Sequence, residues 1–161
     1  FPRPSASDLL RECGRMSKAA IAEDFAAIQA RGSQTAGEAL YLTHGLRGAR
    51  GELAEGFPSV RLTALPALKA ALEAECEYAA SVALLHLIAL GRDTNMFRRG
   101  GESGAAWGAS EAAGLISGGR IPALSEIEEL DQRFIEKNLS PGGCADLLAV
   151  TLFLQKWEQG E

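Results

Sequence analysis

Two glycine-rich segments of the 161-residue sequence carry closely spaced arginines. The first, at residues 45–52, contains Arg47 and Arg50, and the second, at residues 91–101, contains Arg98 and Arg99 before a glycine pair. Guanidinium groups, together with backbone N–H groups left accessible by glycine, are donors that suit phosphate oxygens. Each segment alone is equally typical of a solvated loop with surface arginines. Because the combination occurs twice, we expect a phosphate site to which both segments contribute.

Oxygen-bearing side chains accompany these arginines. Asp93 and Asn95 follow an apolar stretch that ends at Leu90, and Glu52 closes the first glycine-rich segment. Carboxylate and amide oxygens are suitable ligands for Mg²⁺, which bound phosphates commonly share. The alternatives are a polar turn with a helix cap at Asp93 and a salt bridge from Glu52 to a nearby arginine.

A third segment, at residues 138–146, joins a helix stop to a helix start. Pro141 disfavours a helical conformation for the residue before it, and Gly142 and Gly143 allow tight backbone angles. The first turn of the following helix has backbone N–H groups without intrahelical partners, and the helix dipole favours an anion there. The alternative is an ordinary helix–helix turn in which Asp146 complements the dipole.

Hydrophobic spacing predicts an all-α fold, a single domain over residues 1–161 with about six to seven helices. Alanine and leucine are abundant, and no segment has a convincing strand pattern. Residues 147–154 are almost entirely apolar, which predicts a buried C-terminal helix. The expected helices cover residues 5–16, 17–32, 35–44, 62–90, 102–117, 125–138 and 144–157.

Composition excludes several classes of protein. The formal net charge is −5, which argues against a general surface for nucleic acids or anionic membranes. Cys13, Cys76 and Cys144 form no C-x-x-C pair, so disulfide scaffolding and zinc are poorly supported and a cytoplasmic location is expected. A metal-dependent phosphohydrolase would need paired histidine and aspartate ligands, whereas the sequence has only His44 and His86, the latter inside an apolar run.

Four motifs in order resemble the C-terminal half of the triphosphoribosyl-dephospho-CoA synthase family. The resemblance spans about Thr35 to Leu154, and each motif is weak alone but specific in combination. The motifs are Gly45-Leu-Arg-Gly-Ala-Arg-Gly-Glu52, Gly56-Phe-Pro-Ser-Val-Arg61, Asp93-Thr-Asn95 with Arg99-Gly-Gly101, and Asn138-Leu-Ser-Pro-Gly-Gly143 with Ala145-Asp-Leu-Leu148. Family members are longer and carry a Thr-Asn-Thr-His-Lys-Gly motif in their first half. We therefore expect this chain to be the C-terminal portion of a longer synthase.

The resemblance implies an all-α transferase. Its reaction joins the ribose triphosphate of ATP to the ribose 2′-hydroxyl of 3′-dephospho-CoA and releases adenine. The product is the precursor of a prosthetic group for the acyl carrier subunit of citrate lyase or malonate decarboxylase. The implied partners are ATP, 3′-dephospho-CoA and the missing N-terminal half of the same enzyme. The resemblance leaves a homo-oligomer open. Nucleic-acid and membrane partners are not expected. A helical module that binds a nucleotide or a carrier protein without catalysis is the alternative.

Residue roles carry over from the matched motifs. Phosphate or substrate binding is expected of eight residues: Arg47, Arg50, Asn95, Arg98, Arg99, Ser140, Gly142 and Gly143. Seven of them lie within the matched motifs, and Arg98 lies outside the matched pattern. Asp93 and Asp146 are the expected catalytic carboxylates, and Asp93 and Glu52 the expected ligands of Mg²⁺ or another divalent cation bound with ATP. Cys144 stands where family members more often have serine, and we expect it to be a packing residue.

Overall fold

Eight α-helices and two short helical turns make up the part of the chain that the computed structural model describes, residues 4–160. The α-helices are α1 (Ala6–Arg31), α2 (Ala36–His44), α3 (Gly48–Ala54), α4 (Leu65–Glu73), α5 (Ala79–Ala89), α6 (Thr94–Leu115), α7 (Leu124–Glu136) and α8 (Gly142–Gln159). A π-helical turn at Val60–Ala64 leads into α4, and a 3₁₀ turn at Ser117–Gly119 follows α6. The all-α class is confirmed, with one or two helices more than predicted. Within residues 4–160, no helix combines the length and apolar character needed to cross a bilayer.

Three groups of buried apolar side chains hold these helices together. The largest joins α5, α6, α7 and the start of α8, through Leu87, Met96, Leu130, Phe134 and Cys144 among others. A second joins α1, the π-helical turn, α4 and the end of α8, and a third lies between α4 and α5. Helices α5 and α8 therefore lie at the centre of the packing.

The N-terminal helix is continuous, although two helices separated at Ser17 were predicted. Ser5 caps α1 through the backbone N–H of Asp8, and the Asp8 side chain accepts from the Ser5 backbone in return. Ser17 lies inside the helix, where its hydroxyl donates to the Cys13 carbonyl at 2.8 Å. A serine whose hydroxyl bonds to the preceding turn does not need to interrupt a helix.

The long helix predicted over residues 62–90 is broken into α4 and α5. The break includes Glu75, whose φ of 55° lies in the left-handed region. The Cys76 N–H donates to the Ala71 carbonyl, closing the end of α4. No glycine or proline marks this turn, and the apolar spacing continues through it, so the sequence pattern carries no signal for it.

Both arginine- and glycine-rich segments are partly helical, where loops were predicted. Residues 48–54 form α3, and Arg47 directly precedes its first residue. Helix α6 begins at Thr94, with Asp93 as its N-cap, so Arg98 and Arg99 are helix residues. A kink follows at Gly101, where φ is 65° and ψ −169°.

The C-terminal helix is buried on one side only, which corrects the prediction of a buried helix. Cys144, Thr151 and Leu154 are buried against the rest of the fold. Leu152 and Phe153 are 38% and 59% exposed. The described residues therefore cover only part of the apolar surface of α8.

Two glycines of α6 provide a matched test of the packing. A Cβ at Gly108 would lie 2.9 Å from Phe134 Cζ and would also collide with Met96, whereas a Cβ at Gly114 would meet nothing within 4 Å. We expect Gly108→Ala to lower the free energy of unfolding by about 1–3 kcal/mol because it overpacks the core. Gly114→Ala is expected to be neutral or to stabilise by up to about 1 kcal/mol. Denaturant unfolding measures both values, and equal effects would contradict the packing of α6 against α7.

Candidate active site

A cavity of about 450 Å³ lies where four helix ends meet. It is lined by the end of α2, by α3, by the end of α5 with the first residues of α6, and by the first turn of α8. All three segments singled out in the sequence contribute to its wall. The sequence-predicted residues that line it are Arg47, Glu52, Asp93, Asn95, Gly143 and Asp146.

Five other predicted residues lie outside this cavity. Arg50 forms an ion pair with Asp24 of α1. Arg98 and Arg99 are exposed, with Arg98 donating to Asn95 Oδ1 and Arg99 to Asn138 Oδ1, each at 3.1 Å. The remaining two, Ser140 and Gly142, precede the part of α8 that lines the cavity.

Asp93 connects the starts of two helices. Its Oδ1 accepts hydrogen bonds from the backbone N–H groups of Asn95, at 2.8 Å, and Met96, at 3.0 Å. Its Oδ2 accepts from the backbone N–H of Cys144, at 2.7 Å. The side chain is buried, so a carboxylate there needs these donors and the positive ends of both helix dipoles. The anion at the start of α8 is thus, in this structure, a carboxylate of the protein itself.

The glycine pair at the start of α8 permits the close approach that this contact requires. A Cβ at Gly142 would lie 2.5 Å from Asn95 Nδ2, and one at Gly143 would lie 3.2 Å from Asp93 Oδ2. Both glycines therefore have a steric role between α8 and the first turn of α6. Binding of an external anion by their N–H groups stays a prediction.

Cys144 lies beside Asp93 and contributes to the core. Burial raises the pKa of its thiol, and the neighbouring Asp93 carboxylate raises it further. The group therefore stays a neutral thiol over the physiological range. This agrees with a packing role for Cys144.

The other charged side chains of the cavity differ in whether they already form hydrogen bonds or ion pairs within the protein. Glu52 accepts from the Ser59 hydroxyl at 2.5 Å and from the Ser59 N–H at 3.1 Å, and Arg47 forms an ion pair with Glu55. Asp146, by contrast, is exposed on the first turns of α8 and makes no hydrogen bond or ion pair with the other residues of 4–160. Of the two carboxylates predicted to be catalytic, Asp146 is thus the one open to a ligand.

Sequence reasoning missed four polar residues of the cavity wall, namely His44, Glu55, Ser59 and Arg92. Arg92 precedes Asp93, the N-cap of α6, so it lies where a cation can reach the cavity, whereas Arg98 and Arg99 lie farther along the helix. His44 ends α2, and its ring lies 5.3 Å from that of Phe97. A correct prediction of the start of α6 at Thr94 would have identified Arg92 as an arginine of the cavity wall.

The described residues do not assemble a metal site from protein ligands alone. No group of three histidine, cysteine, aspartate or glutamate side chains within residues 4–160 is placed to hold a metal ion. Mg²⁺ is commonly held by one or two carboxylates together with substrate phosphates. Binding of Mg²⁺ by Glu52 together with substrate phosphates stays a prediction, and Asp93, the other predicted ligand, already accepts backbone hydrogen bonds with both oxygens.

A smaller cavity of about 180 Å³ adjoins the first and shares Arg47 and Thr94 with it. Glu38 on its wall binds Arg31 at 2.8 Å and accepts from the Gln34 N–H at 2.7 Å. These contacts, the Arg31 hydrogen bond above all, lower the pKa of Glu38 to about 2. The adjoining cavity is therefore bordered by a network of paired charges.

The fold and the cavity define an all-α protein with a mixed carboxylate and guanidinium site at converging helix ends. Residues 3–161 match the CitG family, described as ATP:dephospho-CoA triphosphoribosyl transferase. The chain belongs to this family.

Two curated relatives bear similar names. A 2-(5″-triphosphoribosyl)-3′-dephosphocoenzyme-A synthase of Pectobacterium atrosepticum is 48% identical over 126 residues, which are 76% of this chain and 41% of the relative. A protein of Citrobacter koseri, named as a probable enzyme of the same kind, is 45% identical over 130 residues, 78% of this chain and 43% of the relative. The chain thus spans less than half the length of these relatives. No solved structure matches it.

The contact between Asp93 and Cys144 leads to a stability prediction. Asp93→Asn replaces one accepting oxygen by an amide donor, so a buried N–H group loses its partner. We expect the free energy of unfolding to fall by about 1–3 kcal/mol. Asp146→Asn, the same change at an exposed site of α8, should alter it by less than about 0.5 kcal/mol. Denaturant unfolding measures the change in both variants. An equal loss of unfolding free energy in the two would argue against a stabilising contact between Asp93 and the Cys144 N–H.

The network around Glu38 predicts a pH dependence. Because its pKa is lowered from 4.5 to about 2, the ionised carboxylate stabilises the folded state above about pH 4.5. That contribution is lost as the pH falls from there toward about 2. The difference in unfolding free energy between wild type and Glu38→Gln should shrink over this interval. Glu77→Gln, an exposed change outside the network, serves as the control, and a difference independent of pH would contradict the assignment.

Proposed function

We propose that this chain forms part of the nucleotide site of a transferase that joins ATP to 3′-dephospho-CoA and releases adenine. The observation that carries the proposal is the convergence of the three predicted segments on one cavity. Family membership and the names of the two relatives support it. The product of such a reaction is the precursor of a prosthetic group.

The triphosphate is the part of ATP that the cavity suits best. Arg47 and Arg92, both in the cavity wall, supply guanidinium donors. Four carboxylates line the same wall, those of Glu52, Glu55, Asp93 and Asp146, although Glu55 is paired with Arg47. A bare polyphosphate would be repelled by them, so we propose that ATP enters with a divalent cation. Glu52, together with the phosphate oxygens, would hold that ion, which supplies charge neutralisation for the triphosphate.

Asp146 is the carboxylate that we assign to proton transfer. The 2′-hydroxyl of dephospho-CoA must lose its proton as its oxygen bonds to C1′ of the ATP ribose. The bond from C1′ to adenine breaks at the same centre, and the departing base takes up a proton. An exposed carboxylate beside the phosphate-binding residues is suited to accept the hydroxyl proton. Asp93, whose two oxygens already accept three backbone hydrogen bonds, is suited to hold the site together.

The cavity lies in the lower part of the range of about 300–1,000 Å³ that a single small-molecule ligand occupies. The reaction joins two nucleotides. We therefore propose that the cavity binds the triphosphate end of ATP and that further polypeptide, present in the longer relatives, completes the site for dephospho-CoA. A nucleotide-binding module without catalysis is the second candidate, since the chain spans less than half of the relatives.

The two candidates differ in adenine release. The chain is incubated with ATP, Mg²⁺ and 3′-dephospho-CoA, with and without the part of the Pectobacterium relative that it does not match, and free adenine is measured by chromatography. Release in the presence of that part supports the transferase. Nucleotide binding by calorimetry without adenine release in either arm supports the binding module.

Two exposed arginines near the start of α6 test the phosphate assignment. Arg92 lines the cavity and Arg98 does not. We expect Arg92→Ala to weaken binding of Mg²⁺–ATP by about tenfold or more, since it removes a charge-assisted hydrogen bond to phosphate. Arg98→Ala should leave binding unchanged. Calorimetric titration gives both affinities, and equal weakening in the two variants would contradict the role of Arg92.

A further inference from the structure

Helix α8 carries two apolar faces, of which the fold covers one. Cys144, Thr151 and Leu154 are buried against the core. Four apolar residues of the other side are exposed, and we call them the α8 stripe: Ala145, Ala149, Leu152 and Phe153, with the exposed Lys156 one turn beyond Leu152. Their spacing of i, i+4, i+7 and i+8 places them on one side of an α-helix, which is the pattern of a face that packs against another element.

The composition of the α8 stripe suits a close protein contact. Two alanines near the start of the helix permit close approach of a second backbone, and Leu152 and Phe153 offer large apolar surfaces farther on. Phe153 is 59% exposed, and its ring contacts that of Trp157 with centroids 6.4 Å apart. Exposed apolar residues grouped on one side of a helix are typical of an interaction surface.

The α8 stripe also adjoins the cavity. Asp146, which lines the cavity, follows Ala145 at the start of the α8 stripe. Whatever covers the stripe near Ala145 therefore comes close to the side chain of Asp146. The α8 stripe and the cavity therefore border each other at Ala145 and Asp146.

The relatives indicate what the occupant is. The matched residues make up 41% and 43% of the two curated relatives, so each contains a longer stretch of polypeptide outside the match. A stretch that packs against the matched part needs apolar surface there to bury. The α8 stripe is an apolar helix face that residues 4–160 leave uncovered at the edge of the cavity.

We propose that the α8 stripe is the docking surface for the polypeptide that forms the unmatched part of these relatives. The docked polypeptide covers Leu152 and Phe153 and closes the cavity on the side of Asp146. This follows from packing, and it stands whether or not the cavity binds nucleotides.

Co-purification tests the proposal. The chain, with an affinity tag, is co-expressed with the unmatched part of the Pectobacterium relative, and the recovered complex is quantified. The wild-type chain should recover that part, and Phe153→Glu should reduce recovery by about tenfold or more. Ile135→Glu on α7, at a site 60% exposed, should leave recovery unchanged. Thermal unfolding of each isolated variant should match wild type, which shows that the loss concerns docking and not folding.

A photo-crosslinking residue identifies the occupant directly. Benzoylphenylalanine at position 153 should crosslink to the co-expressed part, and the same residue at position 135 should not. The proposal is overturned if the wild-type chain recovers none of that part, if Phe153→Glu and Ile135→Glu behave alike, or if position 153 crosslinks only to a second copy of the chain.

Discussion

One buried carboxylate sets the geometry on which the site depends. Asp93 accepts backbone hydrogen bonds from the first turns of both α6 and α8. A charge without water is costly unless it is compensated, and here three N–H donors and two helix dipoles compensate it. Because the donors belong to backbone, the contact fixes the two helix starts and not merely two side chains. Asn95 on α6 and Asp146 on α8 are consequently held in one wall.

Charge pairing decides which groups of the wall can meet a ligand. The arginines of the first segment are engaged within the protein, Arg47 with Glu55 and Arg50 with Asp24. Arg47 is nevertheless at the cavity, where a polyphosphate with its cation could compete with one exposed carboxylate. Arg50 lines the smaller adjoining cavity instead, and both guanidinium groups lie over the ring of Phe25. Of the two arginines of this motif, Arg47 therefore lines both cavities and Arg50 only the smaller one.

The sequence predicted the helical class, because hydrophobic periodicity is visible in one dimension. It also predicted a site shared by the two arginine- and glycine-rich segments, and residues of both line the cavity, whereas phosphate binding there stays a prediction. It did not predict which arginines face the cavity. That depends on where α6 begins: with the first residue at Thr94, Arg92 precedes the helix and lines the cavity, while Arg98 and Arg99 lie outside it. The turn at Glu75 was missed for a related reason, since neither glycine nor proline marks its left-handed backbone.

The apolar character of α8 shows that a wrong expectation about burial can still be informative. A helix that is apolar on most sides is expected to be buried on most sides, and residues 4–160 bury only one face of this one. The docking proposed for the α8 stripe would account for the exposed Leu152 and Phe153. The same docking would cover the cavity on the side of Asp146. On this proposal, the exposed face of α8 and the open side of the cavity would both be covered by one docked polypeptide.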